Sequence, residues 1–309
     1  RGVYKSEESQ NLAFQPVTIA EDDLFLGDPA KKFKIHLLHH AKPYSVGYVE
    51  TCINDLGESK QLQLIGNDGN LINVFLNSKM QLTEIPNFCE LLKQGLQISM
   101  MVAVDFTASN GDPKDSGSLH YCRGMEPNQY ERAMRSCGNI LVHYDNDKKF
   151  PLLGFGGIPN GNSDVEFAFP MNYTDDPNVN SIEEMIEVYK SALNKTALSG
   201  PTYFAPFLTK LKNFVQSSKG SYFVLMILTD GMINDFKETV EQIIECSYLP
   251  ISIVIIGVGK ADFSQMEMLD GDDMPLTDSK GNAIARDIVQ FVPYKKFEKN
   301  PKQLSEQVL

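Results

Sequence analysis

The chain has no apolar run long enough to cross a bilayer: stretches such as "YFVLMIL" at 222–228 fall far short of the roughly 20 residues a spanning helix needs. It also lacks paired cysteines. Its five, at positions 52, 89, 122, 137 and 246, are odd in number and widely spaced, which argues against a disulfide framework and predicts reduced thiols in a cytosolic setting. Positive charge is short as well, with 28 Lys and Arg against 40 Asp and Glu, a net charge of -12. That balance argues against sequence-blind binding to nucleic acid, and against anionic lipid unless a cation bridges the two negative surfaces. There is no internal repeat and no low-complexity tract. The chain opens on Arg1 with neither a methionine nor an apolar signal stretch, as expected of a piece of a longer protein. The sequons at Asn172 and Asn194 would matter only in a secretory compartment and read as chance.

What is there fills 309 residues, enough for about two domains. Before residue 90 come short alternating segments, "KFKIHLL", "GYVETCI", "KQLQLIG" and "LINVFLN", divided by Gly, Pro, Asn and Asp, the pattern of antiparallel strands. Beyond it, strand-like and helix-like stretches alternate. "LQISMMVAVDF", "FPLLGFG", "SYFVLMILTDG" and "PISIVIIGVG" are apolar throughout, and between them lie amphipathic segments. One opens on Ser181 with Glu184 three residues on, a capping-box signature. Continuous apolar strands interleaved with helices predict an α/β fold with a doubly wound, mostly parallel sheet covered on both faces.

In such sheets ligands bind beyond the carboxyl ends of the strands. Two strands here end alike, the first on Asp105, Thr107 and Ser109, the later one on Thr229, Asp230 and Gly231. Thr202 follows Gly200 and Pro201 where a helix is expected to begin. Brought together, Asp105, Thr107, Ser109, Thr202 and Asp230 make a set of hard oxygen donors with only two carboxylates. That chemistry suits Mg2+ (or Mn2+) better than zinc, and leaves the ion with charge to spare for one further carboxylate from a partner protein.

Asp-x-Thr-x-Ser, a distant Thr and then Thr-Asp-Gly resembles the metal-ion-dependent adhesion site (MIDAS) of von Willebrand factor A domains, usually written Asp-x-Ser-x-Ser. The Thr107 form resembles that of the copine family, and copine-like wording recurs in "SLHY", "LSGPT", "IIGVGKADF" and "ARDIVQFVPYKKF". The resemblance implies a von Willebrand factor A-type domain over residues 96–309, a linker helix over 86–95, and over 1–85 a partial, C2-like antiparallel β-sandwich. It also implies an interaction module without enzymatic activity, and carries the five residues above over as the metal ligands. Copines resembling this chain are cytoplasmic, and their C2 domains bind phospholipid when Ca2+ is present. The resemblance thus implies an adaptor in membrane trafficking or signalling, recruited to the plasma membrane. The chain departs from the family where a calcium loop with an Asp-Trp-Asp core is expected, since it carries His39, His40 and Ala41 there. Calcium binding by this segment is therefore expected to be lost, unless Asp22, Asp23 and Asp28 supply a site.

Other readings are weaker. His36, His39 and His40 suggest zinc, but without further ligands. "GVGK" mimics part of a dinucleotide fingerprint but lacks its third glycine and later acid. A magnesium-dependent phosphatase of the haloacid-dehalogenase type would need a second Asp where Thr107 stands. A scaffold that binds partners without metal is the remaining alternative. The acidic stretch 271–287 reads as a solvated loop.

Overall fold

A computed structural model describes residues 14, 18–19, 28–39, 45–56, 60–81, 86–122, 124, 126–142, 145, 148–218, 220–272 and 274–297. The chain divides into two compact units, Arg1–Pro86 and Asn87–Leu309. His40, Ala41, Asp22 and Asp23, which bear on the calcium reading, lie outside the described residues.

The first unit holds β1 (Phe33–Leu38), β2 (Ser45–Thr51), a single turn α1 (Ile53–Leu56), β3 (Lys60–Ile65) and β4 (Leu71–Ser78). The strands form one antiparallel sheet in the order β1-β2-β3-β4, as their alternation predicts. Exposure alternates along β1 and β4, so each strand turns one apolar side inward. Leu62 lies opposite Leu76, and Ile53 and Leu56 form a small core with Phe33, Leu62 and Met80 against them.

The second unit begins with α2 (Phe88–Lys93), whose reciprocal cap joins Asn87 and Glu90. There follow β5 (Gln97–Asp105), α3 (Gln129–Leu141), β6 (Phe150–Phe155), the short β7 (Gly157–Pro159), β8 (Phe169–Pro170) and β9 (Asn178–Val179), and α4 (Ile182–Leu193). Then come β10 (Thr196–Leu198), α5 (Ala205–Ser217), β11 (Ser221–Thr229), α6 (Phe236–Cys246), β12 (Ile251–Gly257), α7 (Ser264–Asp270), β13 (Val289–Pro293) and α8 (Tyr294–Phe297). The main sheet runs β13-β12-β11-β5-β6-β8. Pairings from β13 through β6 are parallel, and β8 and β9 close the far edge antiparallel.

Alternate residues of each central strand feed two different cores, which is why the strands read as unbroken apolar runs. Met100, Val102 and Val104 of β5 pack with Tyr130 and Met134 of α3 and Met185 and Tyr189 of α4. Met101 and Ala103 pack on the other face with Phe207 and Leu211 of α5 and Val240 and Ile243 of α6. Each large apolar side chain buried this way contributes about 1.5–3 kcal/mol, so the central strands anchor the rim where they end.

Two local expectations are modified. The Ser181 hydroxyl accepts from the Glu184 N–H at 3.1 Å, but the Glu184 carboxylate accepts from Asn180 at 2.7 Å, closing the box one residue early. The second concerns 271–287, whose described residues are mostly exposed, as in a solvated loop, but are fixed by local bonds. Asp278 gathers the N–H groups of Lys280 and Asn282 at 2.9 and 2.8 Å, and the Arg286 guanidinium reaches the Tyr222 hydroxyl and the carbonyls of Leu249 and Ile251.

Candidate metal centre at the strand ends

Asp105 is the last residue of β5 and is fully buried, while Thr229 is the last residue of β11 with Asp230 directly after it. These strands pair in parallel with Leu228 opposite Val104, so the two acids emerge side by side from neighbouring strands.

From Asp105 the side chains form a continuous chain of oxygens. Asp105 Oδ1 accepts from the Thr107 N–H at 2.8 Å and from its hydroxyl at 2.6 Å. Thr107 Oγ1 lies 2.9 Å from Ser109 Oγ, and Ser109 Oγ lies 3.0 Å from Asp230 Oδ1. A residue absent from the sequence-based set completes the first carboxylate: the buried Thr229 hydroxyl donates to Asp105 Oδ2 at 2.7 Å.

The three oxygen–oxygen contacts of this chain, Asp105–Thr107, Thr107–Ser109 and Ser109–Asp230, each need a proton, but a hydroxyl carries one donor and an ionised carboxylate none. Two hydroxyls therefore leave the chain one hydrogen-bond donor short. A proton on Asp230 would make up the shortage, and so would a cation between the oxygens. The electrostatics agree: burial, and after it the neighbouring Asp105, push the Asp230 carboxyl up to about 7. Burial likewise raises Asp105, against the opposing pull of its bonds from Thr107 and Thr229.

Thr202 is buried too, but among the described residues its hydroxyl is not hydrogen-bonded into this chain. Its loop is brought alongside by backbone. Ser199 pairs with Thr107 as an isolated parallel bridge, donating its N–H to the carbonyls of Phe106 and Gly156 at 3.2 and 3.1 Å and accepting from the Ala108 N–H at 2.6 Å. Gly156 keeps this junction tight. Its φ is +74°, and a Cβ there would fall 2.3 Å from the Thr107 methyl and 3.6 Å from the Pro201 carbonyl, so only glycine fits between the two loops.

Behind the rim lies a buried aromatic layer that the sequence did not suggest. Asn110 Nδ2 donates to the Thr107 carbonyl at 3.2 Å, and the Tyr130 hydroxyl donates to Asn110 Oδ1 at 2.6 Å. His120 stacks on Tyr130 with ring centroids 4.4 Å apart, and its Nδ1 lies 2.7 Å from the Tyr189 hydroxyl. That hydroxyl also accepts from Asn128 at 3.1 Å. Burial holds His120 neutral, with its pKa down at about 3 against a weaker opposing pull from the Asp105 backbone.

Among the described residues no group of three or more His, Cys, Asp or Glu side chains is placed to hold a metal. His36 instead lies within 3.5 Å of the Ser45 hydroxyl and packs on Tyr48. A cation at the strand ends would rest on two carboxylates and several hydroxyls, a donor set that fits a hard divalent ion.

A family model described as Copine matches residues 118–309. The chain belongs to the copine family. Its second unit has the von Willebrand factor A-type architecture, and this copine chain is similar to several solved structures. A von Willebrand factor type A protein from Catenulispora acidiphila is 13% identical with a TM-score of 0.38, over 69% of this chain and 41% of the other. Manganese-loaded TRAP protein of Plasmodium vivax is 12% identical with a TM-score of 0.44, over 68% and 73%. Proximal thread matrix protein 1 from the mussel byssus, with a zinc-occupied MIDAS motif, is 14% identical with a TM-score of 0.38, over 69% and 48%. The copine chain thus spans less than half the length of the first and third of these. Among its described residues no helix is long and apolar enough to cross a membrane.

Proposed function

We propose that the unit Asn87–Leu309 is a metal-dependent protein-interaction module. Asp105, Thr107, Ser109, Thr202 and Asp230 hold one divalent ion, Mg2+ before Mn2+, and a partner protein completes its coordination with an acidic side chain. The observation that carries this reading is the oxygen chain from Asp105 to Asp230, which closes at hydrogen-bond distances with one donor too few. When bound, the ion would supply positive charge among these oxygens and could accept a further carboxylate. Thr229 orients Asp105, Asn110 fixes the carbonyl of Thr107, and Ser199 ties the Thr202 loop to the same rim.

Copine membership supports the wider role: a cytoplasmic adaptor in membrane trafficking or signalling, brought to phospholipid by Ca2+ through C2 domains largely absent from this chain. The deciding experiment is a pull-down from cell extract with the full chain, in magnesium and in EDTA, beside Asp105→Ala. Partners retained only by the unsubstituted chain in magnesium support the reading. Partners retained equally in all three conditions place the docking face elsewhere and favour a metal-independent scaffold.

A further inference from the structure

Thr202 is the one candidate ligand whose hydroxyl has no partner in the oxygen chain, so something else must hold it at the rim. Asn234 and Asp235, in the loop that leaves Asp230, hold the Thr202 segment by four hydrogen bonds. The Asn234 N–H donates to the Thr202 carbonyl at 2.8 Å, and Asn234 Oδ1 accepts from the Thr202 N–H at 2.9 Å. The exchange resembles one rung of a ladder, with a side-chain amide replacing a backbone carbonyl. Asp235 continues the grip. Its Oδ1 accepts from the Phe204 N–H at 3.0 Å, its Oδ2 from the Ala205 N–H at 2.8 Å, and Thr239 steadies it with a hydroxyl at 3.1 Å.

Phe204, the residue at the N-cap of α5, offers no capping side chain. The cap comes instead from Asp235, thirty residues away. Capping alone would concern only Phe204 and Ala205, the first amides of the helix. Thr202 precedes the helix, and Asn234 is spent entirely on it.

We infer that Asn234 and Asp235 are positioning residues: they fasten the Thr202 loop to the Asp230 loop, so that these two ligands reach the ion as one unit. The inference rests on the proposed metal site and adds to it a pair of residues that touch no ion. Asn234 is exposed, so replacing it should change the folded chain little, whereas outer partners of metal ligands typically govern affinity by 10–100-fold.

The test is calorimetric titration of the full chain with MgCl2, with melting followed in EDTA, for the unsubstituted chain, Asn234→Ala, Asn234→Asp and Thr202→Ala. Asn234→Ala is expected to weaken magnesium binding by at least about tenfold, with metal-free melting close to that of the unsubstituted chain. Asn234→Asp keeps the acceptor for the Thr202 N–H and is expected to bind at least as well as the unsubstituted chain. Unchanged affinity in Asn234→Ala beside weakened affinity in Thr202→Ala overturns the positioning role and leaves the site standing. Equal losses in Asn234→Ala and Asn234→Asp also overturn it. If the unsubstituted chain takes up no magnesium, or Thr202→Ala binds as tightly as it does, the site reading fails and the inference with it.

Discussion

The Thr229 hydroxyl donates to Asp105 Oδ2 at 2.7 Å, joining the last residues of two adjacent parallel strands at a point where both are shut off from solvent. The carboxylate this bond orients takes its hydrogen bonds from Thr107, Thr229 and the Asp230 backbone, with no cationic side chain among them in the described residues. Removing the donor leaves a buried oxygen unsatisfied, at a cost of about 1–3 kcal/mol. Thr229→Val, which keeps the shape, is therefore expected to destabilise the chain by that amount in chemical denaturation and to weaken magnesium binding. A neutral effect on both would mean that Asp105 does not depend on this hydroxyl.

Metal should show itself in the melting temperature. At an ion concentration about 100 times its dissociation constant, binding adds about 2.7 kcal/mol, or about 5 to 10 °C for a domain of this size. The gain is expected with magnesium, expected to disappear in EDTA, and expected to be absent from Asp105→Ala. Melting curves that respond to neither magnesium nor EDTA would count against the site.

Asp230 gives stability an unusual pH dependence when metal is removed. Its folded pKa, about 7, lies above the ordinary 3.8 because of burial and then of Asp105. Across that interval the folded chain keeps a proton that the unfolded chain has released, so the contribution of this residue to stability falls as pH rises. In EDTA, the stability of the unsubstituted chain relative to Asp230→Asn is expected to decline from about pH 5 to about pH 8. A difference that stays constant over this range would contradict the assignment.

His120 behaves in the opposite sense. Burial lowers its folded pKa to about 3 from 6.5, so its contribution is complete above 6.5 and is lost as pH falls through the interval below. Its imidazole resonances are expected to stay at their neutral positions while exposed histidines titrate. A His120 signal with a midpoint near 6 to 7 would show that the ring is not sealed behind the rim.

How much of this could be read beforehand depended on how far along the chain each relationship reaches. The strands of the second unit announced themselves by unbroken apolar runs, and Asp105, Thr107 and Ser109 by hydroxyls at alternate positions directly after one of them. Those signals are local. The bond from Thr229 to Asp105 crosses 124 positions and that from Ser109 to Asp230 crosses 121, and nothing in the residues themselves specifies such pairings. The cap on α5 is instructive. A sequence reader looks for Ser, Thr, Asp or Asn at Phe204 and finds none, because the acid arrives from another loop. The two- and three-residue strands β7 to β10 are shorter than any periodicity can reveal. Nothing local to His120 tells that Tyr130 and Tyr189 will close around it.

The pairing of β5 with β11 fixes where the two acids are anchored. Hydrogen-bonded strands lie about 4.8 Å apart, and here the ladder runs without interruption from Ser221 opposite Gln97 to Leu228 opposite Val104, next to the two acids. The carboxylates can turn about their side-chain bonds, but their anchor points cannot separate without tearing pairs from the centre of the sheet. Metal uptake at the proposed site would therefore be met by side-chain rotation alone, with the register of the central strands unchanged.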